Sequence, residues 1–179
     1  MRTDNEIWAL IILAISTSLD AMGLPATVIQ SYQPTQQGVE ITPVVALHTI
    51  DSKRYGWPED TSYWDEQSQT MLKRKSYWLE RTYQVNALAI QNPATPAAPT
   101  AFDYIDAVAA ILQTMDTQEF LIANGIGILR IQPLRVAYFV DDKGRHEQVP
   151  SFDFTLTYQQ VQMATAEPLV SITGEIYEV

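Results

Sequence analysis

Apolar residues recur along this chain in two rhythms, one helical and one alternating. At the start, Trp8, Ile11, Ile12, Ile15, Leu19 and Met22 follow helical spacing behind Thr3-Asp4-Asn5-Glu6. That opening is a capping-box pattern, in which a threonine and a glutamate three residues on satisfy each other's backbone donors. Gly23, reinforced by Pro25, is the natural stop. Ile7, Leu10 and Leu13 widen the apolar face beyond what one sheet contact needs. This first helix is therefore expected to be covered on two sides, by its own fold or by a neighbour. Phe102, Ile105, Val108, Ala109 and Leu112 predict a second helix from about Ala101 to Met115, with Thr100 and Asp103 as its N-terminal signal. Thr117 is the expected cap of a short further helix through Leu121 and Ile122, ended by Asn124-Gly125.

The alternating rhythm marks strands. Phe152, Phe154, Leu156 and Tyr158 interleave with Asp153, Thr155 and Thr157, the cleanest period-two signal in the chain. Tyr83, Val85, Ala87 and Ala89 share one face of Thr82–Ile90, with Gln84 and Asn86 on the other. Val44–Ile50 is apolar on both faces, as a central strand is. Ala26–Gln30, Ile126–Gln132, Val136–Val140 and Leu169–Tyr177 are shorter candidates. Ser31–Ile41, with Pro34 and Gly38, and Asp141-Asp142-Lys143-Gly144 read as turns, and Asn92–Pro99, with three prolines, as a stiff connector. The order predicts an α+β fold, a largely antiparallel sheet backed by helices. Residues 1–179 form a single domain in this reading, with an arm or insertion at about 51–81.

That insertion, Asp51 to Arg81, breaks the pattern. It holds three of the four tryptophans (Trp57, Trp64, Trp78) and six of the eleven basic residues (Lys53, Arg54, Lys73, Arg74, Lys75, Arg81). Tyr55-Gly56-Trp57-Pro58 is expected to break the strand that enters it. If its limbs pair as a hairpin, Glu59, Asp60, Asp65 and Glu66 can face Lys73-Arg74-Lys75 across it. The plain alternative is a long loop covering its own core.

Composition narrows the function more than it names it. The net charge of −10 lacks the basic footprint of a DNA-coating protein. From Thr82 to Leu129 there is no basic residue, only Asp103, Asp106, Asp116 and Glu119. Acidic surface and cationic arm are thus segregated, as in a protein that meets itself or other proteins through complementary patches. The absence of cysteine excludes disulfides and thiolate metal sites. The run Ile7–Ile15 is too short to span a bilayer and lacks the positive start of a secretory signal, so the protein is read as cytosolic when made.

His48 and His146 match no metal spacing, and Gly125-Ile126-Gly127 lacks the third glycine of a dinucleotide fingerprint. Asp141-Asp142 suits a solvated turn better than a metal pair. Asp103 and Asp106 lie one turn apart where carboxylates favour a helix dipole. The enzyme alternative is a small hydrolase using Asp103, Asp106 or His146; metal-dependent turnover lost at those positions identifies it. No cofactor and no metal is expected.

Several segments resemble the phage neck-terminator family of head–tail connection proteins, also called tail-terminator-like. They are Gln30–Gly38, Arg54-Tyr55-Gly56, Trp64-Asp65-Glu66, Tyr83-Gln84-Val85 leading to Gln91-Asn92-Pro93, Gly125–Arg130 and Pro150–Thr157. Their order and spacing cover nearly the whole chain, and specificity comes from co-occurrence. The resemblance implies a virion protein without catalytic residues. It implies a ring, typically of six subunits, between the head-side adaptor and the tail tube, with the genome passing through. The implied partners are further copies of the chain, the adaptor, tail-tube and sheath proteins, and DNA bound without sequence specificity; no membrane is involved. Within that frame Arg54, Tyr55, Trp57, Trp64, Lys73, Arg74, Lys75 and Trp78 are the candidate interface, Trp, Tyr and Arg being enriched where binding energy concentrates. Asp103, Asp106, Asp116 and Glu119 are the candidate acidic lumen or surface, able to repel phosphate so that DNA slides. The alternative is a tail-tube, tail-completion or other adaptor protein of the particle.

Overall fold

The computed structural model describes residues 3–30, 42–89, 94–140 and 146–166, and the side chains at 138–140, 146–148 and 166 fall outside that description. The expected turns at Ser31–Ile41 and Asp141–Gly144, the first residues of the proline connector, the last candidate strand and the His146 side chain lie outside the described residues.

Helix α1 (Asp4–Ala21) starts at the capping box its sequence predicts. The Thr3 hydroxyl accepts from the Glu6 N–H at 3.3 Å, and the Glu6 carboxylate accepts from the Thr3 N–H at 2.7 Å. It ends in a Schellman motif. Gly23, at φ 73°, donates to Asp20 O, and the Leu24 N–H reaches back to Leu19 O at 2.9 Å. Ile7, Trp8, Ile11, Ile15 and Leu19 form its buried stripe. Each such burial contributes roughly 1.5–3 kcal/mol relative to exposure. The second covered side is incomplete, because Leu10 and Ile12 are half-buried while Leu13 stays exposed.

Helices α2 (Ala101–Gln113) and α3 (Met115–Ala123) follow one another with a single residue between them. That residue, Thr114, corrects two expectations. The second helix stops at Gln113, short of Met115, and the cap of the third is Thr114, with Thr117 buried one turn inside it. Thr114 is extended (φ −68°, ψ 146°); its hydroxyl donates to Ile111 O at 2.8 Å and accepts from the Thr117 N–H at 3.4 Å. One side chain closes one helix and opens the next.

Six strands form one sheet: β1 (Thr27–Gln30), β2 (Val44–Asp65), β3 (Thr70–Leu88), β4 (Ile126–Ile131), β5 (Arg135–Val140) and β6 (His146–Ala166). The order is β1-β2-β3-β6-β4, with β5 beside β6 and in line with β4. Only β1 and β2 pair in parallel among these described strands; the other pairs are antiparallel. The helices cover one face of the sheet base. There Val45 and Leu47, then Tyr83, Val85 and Ala87, then Phe152, Phe154, Leu156 and Tyr158 meet α1 and α2. Tyr83 stacks on Phe154 at 5.3 Å and meets the Trp8 ring edge-on at 4.9 Å. The opposite face is polar, with Gln84 and Arg135 both donating to the Asp153 carboxylate.

The candidate interaction surface

The arm is a continuation of the sheet. β2 and β3 stay paired from Val44/Leu88 to Asp65/Thr70, so Gly56 and Pro58 do not break the strand as expected. Instead the register shifts. Tyr55 lies opposite Trp78 and Glu59 opposite Ser76, so Gly56, Trp57 and Pro58 bulge out against Tyr77 alone. Gly56 takes φ 72°, which a side chain resists, and Trp57 projects at 96% exposure. Pairing resumes on both sides, and a bulge costs less than abandoning the ladder beyond it. A smaller shift between Thr49 and Asp51 leaves Ile50 extra and exposed.

Sequence reasoning missed the third strand of the arm. β6 runs past the core and pairs with β3 from Trp78/Gln159 to Met71/Ala166. The arm is therefore a three-stranded ribbon with β3 in its centre. Leu79 is the outermost arm residue in the hydrophobic core. Ten residues from there to Thr70, at about 3.3 Å each, give a reach of roughly 30 Å. The available signal was Thr155–Ala166, which carries no charge, glycine or proline and is longer than the sheet base requires. At the tip, Asp65 accepts from the Gln67 and Ser68 N–H groups and from the Ser68 hydroxyl. The Ser68 hydroxyl bond, helped by those backbone bonds, holds the Asp65 carboxyl below its ordinary range.

Register divides the candidate interface residues between two faces. Arg54, Trp64, Lys73 and Lys75 lie on the face that continues the helix-covered side, with Tyr77 and Met71. There the Arg54 guanidinium sits over the Tyr77 ring at 5.1 Å, Lys75 pairs with Asp60 at 3.8 Å, and Trp64 lies opposite Met71. Tyr55, Arg74 and Trp78 lie on the other face. Tyr55 is directly opposite Trp78, Tyr63 opposite Leu72, and Met163 opposite Arg74. Tyr55, Tyr63, Trp78 and Met163 are each 44–51% exposed, an aromatic and apolar strip on a water-facing surface. Trp57 belongs to neither face, standing out at the bulge.

The expected ladder of opposite charges is mostly absent. Asp60–Lys75 is its one ion pair among the described residues. Glu59 instead accepts from the buried Ser76 hydroxyl at 3.0 Å, Asp65 and Glu66 belong to the tip, and Lys73 and Arg74 face Ser62 and Thr61. The bulge moves the acidic residues out of step with the basic run.

The four candidate acidic residues lie on the helix layer, all exposed. Asp103 caps α2, accepting from the Thr100 N–H at 2.7 Å and its hydroxyl at 2.8 Å; the backbone bond first, then the hydroxyl, lowers its pKa. Asp106 shares α2, and Asp116 and Glu119 are on α3. His48 is half-buried in β2. Among the described residues no three of His, Cys, Asp or Glu converge as metal ligands, and no helix is long and apolar enough to cross a membrane.

The family model for the E217 gateway protein gp29 matches residues 6–167. The chain belongs to that family. A gateway protein of the phage head–tail connection bears out the neck-terminator resemblance of the sequence, and the chain is a structural protein of the phage neck and tail. Among solved structures, the fold is similar to the sheath/tube terminator, in its extended state, of an extracellular contractile injection system named PVC. The TM-score is 0.54 at 11% identity, and the match covers 100% of this chain and 65% of that one. At that identity the likeness is one of fold. No curated protein matches.

Proposed function

We propose that copies of this protein close a ring, of six subunits, between the head-side adaptor and the tail tube, leaving a passage for the genome. Each copy acts as one domain whose sheet is drawn out at residues 51–81 into a gripping arm. The observation that carries this is the ribbon itself. A structure reaching roughly 30 Å beyond its core presents Tyr55, Trp57, Tyr63, Trp64 and Trp78 to water, five large aromatics that its own fold leaves exposed. Family membership supplies the setting, and an acidic protein of net charge −10 suits a conduit that DNA must leave without sticking.

Native mass spectrometry with negative-stain microscopy tests the reading. The parent chain is expected to give closed rings of fixed size, and long stacks would instead indicate a tube subunit. Replacing Trp57 and Trp64 by Ala is expected to leave a folded monomer that no longer assembles. Rings and infectious particles from that variant would reduce the arm to a covering loop.

A further inference from the structure

We propose that the lysine-bearing face of the arm docks on the helix layer of the next copy of this chain, a contact that rests on the ring reading above. Charge segregation points to it. Helices α1, α2 and α3 contain no lysine or arginine, while Glu6, Asp20, Asp103, Asp106, Asp116 and Glu119 are all exposed on them. Only Asp4 of this layer has a cationic partner among the described residues, Arg81 at the root of the arm. The facing partner patch is Arg54, Lys73 and Lys75. Lys75 is shared with Asp60 at 3.8 Å, and Lys73 has no carboxylate within ion-pair distance among the described residues.

Reach and spacing agree. Lys73 and Lys75 are two residues apart on one face of a strand, about 7 Å at the usual rise. Asp103 with Asp106, and Asp116 with Glu119, are three apart on helices, roughly 5–6 Å between side-chain bases. A ribbon of about 30 Å spans three helices packed at about 8–10 Å between axes. No arm lysine pairs with a helix acid of its own chain among the described residues. The two patches are different surfaces, so the contact is head-to-tail and propagates with rotation, the geometry of a ring. The arrangement that competes with it places the same acids on the lumen wall.

A charge swap in the full-length chain decides between them. The arm variant is Lys73→Glu/Lys75→Glu; the helix variant is Asp106→Lys/Glu119→Lys, which spares the Asp103 cap. Circular dichroism and melting confirm that each folds. Each alone is expected to assemble at least tenfold more weakly than the parent in 0.1 M salt, and parent assembly to weaken as salt rises. Mixed in equal amounts, the two are expected to restore rings in which they alternate, a strict 1:1 composition by native mass spectrometry. If the parent forms rings and either variant assembles as well as the parent, the docking is wrong and the ring stands. Failure of the mixture to recover also overturns it. Intact rings from the helix variant with altered genome passage would put the acids on the lumen. A parent chain that closes no ring removes the ring reading itself.

Discussion

Tyr83 offers a sharp test of how the sheet base is packed. Its ring is fully buried between Trp8 and Phe154, and its hydroxyl, with the Arg81 guanidinium close by, makes no hydrogen bond of normal geometry among the described residues. Burial pushes its pKa up to about 12; the neighbouring Arg81 guanidinium pulls the other way and loses, and Tyr158 adds to the rise. An unfolded tyrosine ionises near pH 10. Between those values the unfolded chain gives up a proton that the folded chain keeps, so raising the pH favours unfolding. The contribution is present in full below about pH 10 and lost as pH rises through about 12, at roughly 1.4 kcal/mol per unit, or about 3 kcal/mol in all. Tyr83→Phe keeps both ring contacts and removes the group that titrates. Urea unfolding of both proteins from pH 8 to pH 11.5 reads the effect, and the other eight of the nine tyrosines cancel in the difference. The variant is expected to match or exceed the parent by about 1 kcal/mol at pH 8, since a hydroxyl without a well-formed hydrogen bond is no longer buried. Its advantage should widen steadily above pH 10. Parallel curves would show that the hydroxyl is hydrated and the packing argument wrong.

Thr100→Ala removes one half of the box that opens α2 and is expected to cost about 1 kcal/mol in denaturant titrations at neutral pH. Asp103 holds its proton less tightly than an ordinary aspartate, first through the Thr100 N–H, which the variant keeps, and then through the hydroxyl, which it loses. The support is therefore present above about pH 4 and lost as pH falls through the lowered value, so the gap between parent and variant should narrow in acid by the hydroxyl's share. Met163→Glu adds a charge to the outer strand of the arm opposite Arg74. It is expected to lengthen the aggregation lag under agitation several-fold while moving stability by no more than about 0.5 kcal/mol. An unchanged lag would mean that this edge is covered.

The elements that were legible in the sequence are those whose cause is local. Thr3 with Glu6, Thr100 with Asp103 and Gly23 act within one turn of themselves, so residue type announces them. The strands of the sheet base alternate because one face is buried under helices, and Tyr83–Ala87 and Phe152–Tyr158 show it. Thr114 and Thr117 carry the same side chain three residues apart, and only the backbone of Thr114, held extended between two helices, decides which one caps. The arm escaped for a different reason. Beyond Tyr158 both faces of β6 meet water, so the alternation that signals a strand has nothing to bury and fades into Gln159, Gln160, Gln162 and Thr165. The division of the interface residues was further out of reach. A one-residue shift turns every later side chain to the other face, and β2 makes one at Ile50; the Gly56–Pro58 bulge adds two residues, which keeps each face but moves every later residue out of step with β3.

The third strand also explains how such an arm stays extended. A two-stranded hairpin standing free of a core is marginally stable in water. Here β3 is paired on both sides along the arm, and its outer partner β6 is anchored by Phe152, Phe154 and Leu156, all fully buried. The two outer edges are managed unequally. β2 is defended by the Gly56–Pro58 bulge and by Asp51, Lys53, Glu59 and Asp60, whereas β6 beyond its pairing with β4, from Gln159 to Ala166, has no charge, proline or bulge. A ribbon made rigid in this way presents its tryptophans and lysines with little entropy left to lose on contact. The sequence spends twenty-one residues of β6 on a strand whose outer half buries almost nothing of its own, and stiffening the lever that carries Trp57, Lys73 and Lys75 is the physical return on that length.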